Sequence, residues 1–284
     1  MSIKRVGIVG SGIMGSGIAE TAATSGFEVV LRSRQAKTAE ATVAAMEKSL
    51  DRQVEKGKRS AEERDQALAR VTPTSELEAL GDVDLVVESV VEDLDVKKEL
   101  FTELDRIAAE PAILATNTST LPVVELAMHT GRPEKVLGIH FFNPAPVMSL
   151  VELVRPLTTA EETVAEARAF AEACGKTPVV VKDQAGFIVN ALLFPYLNNA
   201  VRLHEQGVAS VEDIDTAMKG GCGFPMGPFA LLDLVGLDTS LAILDALYDE
   251  FRDPNYAAVP LLRRMVAAER LGRKSGQGFL DYRT

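Results

Sequence analysis

Short apolar runs recur along the first two-thirds of the chain: Arg5–Val9, Glu28–Leu31, Leu85–Ser89, Ile113–Thr116, Val136–His140, Leu150–Val154 and Pro178–Val181. They are rich in valine, isoleucine and leucine and lack the alternation of a half-solvated strand, as expected of strands covered on both faces. Helical spacing fills the stretches between them, which predicts a mostly parallel sheet flanked by helices. A long helical insertion, Ala36 to Arg70, separates the second run from the third. Gly57-Lys-Arg-Ser60 breaks it into a hairpin, and Ser60-Ala-Glu-Glu63 reads as a capping box opening the second arm. Glu161–Cys174 is a further helix, stopped by Gly175.

After Asp183 the texture changes. Phe187–Gln206 is a long apolar-rich helix closed by Gly207, with Pro195 predicting a kink. Ser210-Val-Glu-Asp213 caps the next helix, Pro225 and Pro228 punctuate a turn, and Gly236–Phe251 and Leu261–Leu271 follow as helices. No run after Lys182 reads as a strand. The expected division is an α/β domain over residues 1–183 and an all-α domain over 184–284. In the latter, Phe194, Leu197, Phe229, Leu232 and Leu262 exceed what one small bundle needs, which predicts exposed apolar surface.

The first run leads into Gly10-Ser-Gly12-Ile13-Met14-Gly15 and then the amphipathic Ile18–Ser25 helix. In such a loop the first glycine permits a tight turn and the second lets the backbone approach a pyrophosphate. The third lets helix pack on strand, and the helix N-terminus faces the phosphates. The context of strand, loop and helix makes this a dinucleotide site on a Rossmann-type fold. An acid at the end of the second strand would favour the ribose diol of NAD, yet Leu31-Arg32-Ser33-Arg34 offers none. Two guanidiniums flanking a hydroxyl suit a phosphate, so NADP is favoured or at least accepted beside NAD; the alternative is that Arg32 and Arg34 are solvated surface groups.

The chain has 284 residues and a net charge of −11, with a pI near 4.9. That balance argues against nucleic acid or an anionic membrane as a partner. Two cysteines, Cys174 and Cys222, form no metal pattern and fit a reducing compartment. The chain opens directly on a strand, so no signal peptide is expected, and no apolar run is long enough to span a bilayer. The expected location is cytoplasmic.

Candidate chemistry gathers where strands end. In Val136-Leu-Gly-Ile-His140 and Leu150-Val-Glu152-Leu-Val154, a histidine ends one apolar run and a glutamate sits inside the next. A buried carboxylate needs a partner; a neutral imidazole docked on it supplies one and becomes a general base poised near neutral pH. Ser119 in Thr116-Asn117-Thr-Ser-Thr120 and Asn143 occupy two further strand ends. The alternative for Asn117 to Thr120 is a helix cap ahead of Leu121-Pro122.

These features together resemble the 3-hydroxyacyl-CoA dehydrogenases. The resemblance is carried by Gly10-Ser-Gly-Ile-Met-Gly-Ser-Gly-Ile-Ala-Glu20, Val87-Glu-Ser-Val-Val-Glu92, Asn117-Thr-Ser119 and His140-Phe-Phe-Asn-Pro-Ala-Pro146. It continues through Ala185-Gly-Phe-Ile-Val-Asn190, Pro225-Met-Gly-Pro228, Val235-Gly-Leu-Asp238 and Gly272-Arg-Lys-Ser-Gly-Gln-Gly278, and so runs the length of the chain. It implies that His140 is the base, that Glu152 orients it, and that Ser119 and Asn190 hold the substrate oxygen or thioester. Glu92, Lys97, Asn117 and Asn143 would lie near the cofactor, although Glu92 and Lys97 alone also read as a solvated pair at a helix start. With Asn190 on the helical domain, the active site is expected to straddle the two domains. Arg52 and Lys56, with Lys58 and Arg59, line the hairpin that carries CoA-phosphate contacts in this family, and a homodimer through the helical domain is implied. Ser33 stands where the family places an acid. Two other readings keep the scaffold: a dehydrogenase of a small sugar acid such as gulonate, and a non-catalytic nucleotide-binding structural protein.

Overall fold

The computed structural model describes residues 3–283, which fall into two compact units that divide between Asp183 and Gln184. The first unit is built on an eight-stranded sheet in the order β3-β2-β1-β4-β5-β6-β7-β8. Its elements are β1 (Arg5–Val9), α1 (Ile13–Thr24), β2 (Glu28–Arg32), α2 (Ala36–Glu55), α3 (Ala61–Ala69), β3 (Val71–Thr74) and β4 (Leu85–Glu88). There follow α4 (Leu94–Ile107), β5 (Ile113–Thr116), α5 (Val123–Ala127), β6 (Val136–Phe141), β7 (Leu150–Arg155), α6 (Glu161–Ala173) and β8 (Thr177–Lys182). β1 to β6 pair in parallel, β7 runs antiparallel to β6, and β8 is parallel to β7.

The expected runs all became strands, each within two residues of its predicted bounds. One strand escaped the pattern. β3, Val71-Thr-Pro-Thr74, is polar and carries a proline, which a sheet tolerates at an edge, where one side has no ladder to feed. The hairpin is α2 and α3, and the capping box holds: Glu63 N–H donates to Ser60 Oγ at 3.1 Å and Ser60 N–H to Glu63 Oε2 at 2.7 Å. The unit's core is continuous from Val6, Ile8, Leu31 and Leu85 on the sheet to Ile18 and Ala22 on α1 and Phe170 on α6. Each such fully buried large side chain contributes ~1.5–3 kcal/mol relative to exposure.

The second unit is all-α: α7 (Val189–Glu205), α8 (Val211–Cys222), α9 (Pro228–Val235), α10 (Leu237–Phe251) and α11 (Pro260–Ala267). Several expectations need correction. α7 starts at Val189 rather than Phe187, because Phe187 holds a left-handed backbone at φ 50°, which no helix turn accommodates. α11 stops at Ala267, four residues short of Leu271, with Glu269 left-handed at φ 57°. Pro228, read as part of a turn, opens α9 at a position whose N–H has no intrahelical partner to lose. Pro195 falls inside α7, as read from the sequence. Phe194, Leu197, Phe229, Leu232 and Leu262 are not surplus: all are buried in the unit's own core. The exposed large apolar residues here instead include Leu192, Leu203, Val208, Phe224 and Leu234.

Candidate active site

β1 delivers the chain into the glycine loop. Gly10 turns at φ 122°, and a Cβ there would lie 2.2 Å from the Ser89 carbonyl oxygen. A Cβ on Gly15 would lie 2.1 Å from the Gly10 carbonyl oxygen, whereas Gly12 faces open space. Turn, open approach and close packing therefore fall on the three positions in the order read from the loop. No side chain caps α1, so its first N–H groups, starting at Ile13, are available to an anion. Ile13 is exposed and Met14 packs partly against the core.

A cavity of about 620 Å³ opens beside this loop at the carboxyl ends of β1, β2 and β4, where strand order reverses. Arg32, Ser33 and Arg34 line it on one side, and Val91, Val96 and Leu100 supply an apolar wall. None of its lining residues is an acid. Ser33 is buried and its Oγ lies 2.9 Å from Ser11 Oγ, while Arg32 Nε donates to the Ser75 carbonyl at 3.2 Å and Arg34 is exposed. The donor-rich loop, the acid-free rim and the apolar wall fit the phosphates, ribose and adenine of a dinucleotide.

His140 and Glu152 face each other across the antiparallel β6–β7 ladder. That register puts both side chains on one face of the sheet. His140 Nδ1 lies 2.8 Å from Glu152 Oε2; the His140 side chain is 8% exposed and that of Glu152 1%. The Phe142 ring packs on the imidazole with centroids 4.5 Å apart. β6 runs parallel to β1 through the sheet, so this pair ends at the same edge as the glycine loop.

The Ser119 loop shares that edge. Glu92 Oε1 accepts from Thr118 Oγ1 at 2.5 Å and from the Ser119 N–H at 3.0 Å, so Glu92 braces the loop. Lys97 is no solvated helix-start cation: it is 1% exposed and its Nζ lies 2.6 Å from Glu88 Oε1 and 3.4 Å from Glu92 Oε2. Asn117 Oδ1 accepts the Phe141 N–H at 2.8 Å, tying this loop to the residue after His140. Asn143 is exposed on the following loop. Asn190 is buried in the first turn of α7, and Arg52 and Lys56 are exposed at the hairpin end.

Family comparison agrees with this geometry along the whole chain. The model described as 3-hydroxyacyl-CoA dehydrogenase, NAD binding domain, matches residues 5–184, and the one described as its C-terminal domain matches 186–282. The chain belongs to the 3-hydroxyacyl-CoA dehydrogenase family. A 3-hydroxybutyryl-CoA dehydrogenase of Mycobacterium tuberculosis is 50% identical over 287 residues, covering 99% of each chain. One of Clostridioides difficile is 46% identical, covering 98% of this chain and 99% of its own. The crystal structure of the (S)-3-hydroxybutyryl-CoA dehydrogenase PaaH1 from Ralstonia eutropha superposes with a TM-score of 0.97 at 43% identity over 100% of both chains. The NAD-binding description supports a nicotinamide dinucleotide as cofactor.

Against the family's motifs, the structure adds residues that sequence reasoning passed over. Glu88, inside Leu85-Val-Val-Glu88, is completely buried, and the argument that found Glu152 applies to it unchanged. Lys176 donates from Nζ to the carbonyls of Ala145 at 2.6 Å and Met148 at 2.8 Å, clamping the loop that carries Asn143. Burial pulls its pKa below the ordinary lysine value. Gly175-Lys-Thr177 reads as a plain turn, so no local signal marks it. Asp183 accepts the Val123 and Val124 N–H groups at 3.0 and 2.7 Å, fixing the helix that follows the Ser119 loop.

Proposed function

We propose that the protein interconverts (S)-3-hydroxyacyl-CoA, 3-hydroxybutyryl-CoA foremost, and 3-oxoacyl-CoA with a nicotinamide dinucleotide. The observation that carries this reading is the buried His140–Glu152 pair at the sheet edge that also bears the glycine loop. With Glu152 accepting from Nδ1–H, the lone pair of the neutral imidazole sits on Nε2. Nε2 then takes the proton of the substrate 3-hydroxyl, and Glu152 stabilises the imidazolium so formed. When bound, the oxidised dinucleotide supplies the acceptor for the hydride leaving C3. Ser119 and Asn190 donate to the substrate oxygens and favour the charge that develops there. Gly10, Gly12, Ile13, Met14 and Gly15 hold the pyrophosphate, with Asn117 and Asn143 ordering the loops around the reacting end.

Arg52 and Lys56 would take the phosphates of CoA, an electropositive spot on a protein of net charge −11. A free sugar acid would leave those cations without use. The acid-free rim at Arg32, Ser33 and Arg34 supports acceptance of NADP alongside NAD, because nothing there repels a 2′-phosphate. The exposed Leu192, Leu203, Val208, Phe224 and Leu234 support a homodimer through the second unit. No helix among the described residues is long and apolar enough to cross a membrane, and the free thiols Cys174 and Cys222 suit a cytoplasmic setting. The test is reduction of acetoacetyl-CoA and longer 3-oxoacyl-CoA esters, each with NADH and NADPH. Turnover with acetoacetyl-CoA is expected, and no turnover with any CoA ester would refute the assignment.

A further inference from the structure

The loop between β6 and β7 carries Asn143 and stands largely in solvent: of residues 143–149 only Ala145 is buried. A segment with so little apolar cover has few contacts of its own to fix its place. The Val147 and Met148 N–H groups both donate to the Pro144 carbonyl, at 2.9 and 3.0 Å, so the loop closes its own turn. On one side Ala145 and Pro146 lie against α1, where a Cβ on Gly17 would come within 3.2 Å of the Ala145 Cβ and 3.3 Å of Pro146 Cδ. On the other side stands Lys176, just after α6 and 8% exposed, with Nζ donating to the Ala145 carbonyl at 2.6 Å and the Met148 carbonyl at 2.8 Å. The next residue, Thr177, donates its N–H to the Ser149 carbonyl at 2.7 Å. Lys176 is therefore not needed to make the turn; it fixes where the turn stands. A lysine is rarely buried to this degree, because desolvating the ammonium costs free energy that an apolar side chain would not. What the ammonium adds is several donors on one atom, and two of them here meet carbonyls three residues apart.

We propose that Lys176 is a positioning residue for the reacting end of the dinucleotide: by holding the Ala145 and Met148 carbonyls it sets Asn143 beside the nicotinamide that His140 faces. This rests on the roles of His140 and Asn143 proposed above. The same loop leaves His140 at one end and touches α1, the helix behind the glycine loop, at its middle. A small shift of the loop therefore moves the nicotinamide contacts while the adenine and pyrophosphate contacts stay where they are.

The test compares the full chain with Lys176→Met, which fills the same space without the donors. Two ligands separate placement from general loosening: NADH, which carries the nicotinamide, and ADP-ribose, which ends at the second ribose. Titration calorimetry gives both Kd values, and steady-state rates with acetoacetyl-CoA give kcat. Lys176→Met should raise the NADH Kd by about fivefold or more, as expected for a displaced hydrogen-bonding group. The ADP-ribose Kd should stay within about twofold, and kcat should fall by about tenfold or more, since a misplacement of ~1 Å at the reacting centre is enough for that. Asn143→Ala should show the same split between the two ligands. Because both changes cut one path, the double variant should bind NADH no more than about twofold more weakly than the worse single. Parallel weakening of NADH and ADP-ribose, an unchanged NADH Kd, unchanged kcat, or losses that multiply in the double variant would each overturn the proposal. If Lys176→Met does not fold, Lys176→Gln, shorter and uncharged, decides on the same two Kd values: a loss confined to NADH supports the proposal, and a parallel loss or none refutes it. If the wild type proves inactive on CoA esters, the function assignment fails, while the binding comparison needs no CoA ester and still judges the clamp.

Discussion

The two units bury their acids in different company. In the first, Glu88 and Glu152 each meet an ionisable side chain, Lys97 and His140. In the second, Asp215 and Asp233 are also buried, but each carboxylate accepts two backbone N–H groups, with the Tyr282 side chain beside Asp233. Asp215 accepts the Phe229 and Ala230 N–H groups at 2.8 and 3.0 Å, and Asp233 accepts those of Phe279 and Leu280 at 3.0 and 2.8 Å. The packing around them is close: a Cβ on Gly227 would lie 2.2 Å from Asp215, and one on Gly278 would lie 2.0 Å from Asp233. An amide cannot change its protonation state, so such an aspartate is a fixed staple at the start of a helix or turn. An acid against an imidazole has two states to offer. Burial alone therefore does not mark chemistry; the partner does. Asp183, though in the first unit, takes two backbone N–H groups and belongs with the staples.

The strongest test of this contrast is to remove the titrating partner. His140→Ala should cut kcat by ~10² or more while leaving dinucleotide affinity nearly unchanged, read by steady-state rates beside a binding titration. Glu152→Ala should also lose activity, and stability with it by ~1–3 kcal/mol, because the imidazole loses its buried partner. A fully active His140 variant would place Glu152 among the staples and dissolve the distinction.

A second test adds an acid where the first unit lacks one. Ser33 follows β2 in a rim without carboxylates, its hydroxyl beside that of Ser11. Ser33→Asp should shift the ratio of kcat/KM values toward NADH and away from NADPH by ~10-fold or more, since a carboxylate accepts from a ribose hydroxyl and repels a 2′-phosphate. An unchanged ratio would mean that Arg32 and Arg34 do not read that end of the cofactor.

Much of this was legible in the residue pattern, and the exceptions have physical causes. Runs such as Val136–His140 announce strands because both faces are buried, and the glycine loop announces itself because each glycine meets a separate steric demand. Glu152 was visible as an acid in an apolar run. Glu88 carried the same signal, yet its meaning depends on Lys97, whose spacing on α4 also fits a solvated helix start; only the packed structure shows it 1% exposed. β3 was hidden because an edge strand makes few demands on its residues. The apolar residues of the second unit looked excessive because sequence gives their number but not the volume they fill. The motifs around Gly227 and Gly272–Gly278 identified the family, yet their purpose, wrapping two aspartates, rests on contacts up to 47 residues apart.

Removing a staple should separate stability from catalysis. Asp233→Ala leaves the Phe279 and Leu280 N–H groups without their acceptor, at a cost of ~2–4 kcal/mol by urea denaturation, with kcat per folded molecule unchanged. Burial outweighs the two amides and pushes the Asp233 carboxyl above its ordinary value. With the folded pKa raised, the group's contribution is full below the ordinary carboxylate pKa and declines as pH rises through the folded one. The stability gap between wild type and variant should therefore narrow as pH rises above the ordinary carboxylate value. A gap that widens would mean that the amides, not desolvation, govern the group.

The thiols invert the contrast, since here the first unit holds the buried group and the second the exposed one. Cys174 is buried against the core of the first unit, and desolvation pushes its thiol up to about 12, so at neutral pH the nucleophilic thiolate is absent. Cys222 is exposed at the end of α8. In the native protein near pH 8, a thiol-disulfide reagent should therefore modify one cysteine quickly, and Cys222→Ser should abolish that fast phase. Labelling of Cys174 should become appreciable only in strong alkali or after unfolding. Fast modification of Cys174 in the folded wild type at neutral pH would show that the α6 end of the first unit opens to solvent. It would also weaken the premise that the acids packed in the same unit are held dry.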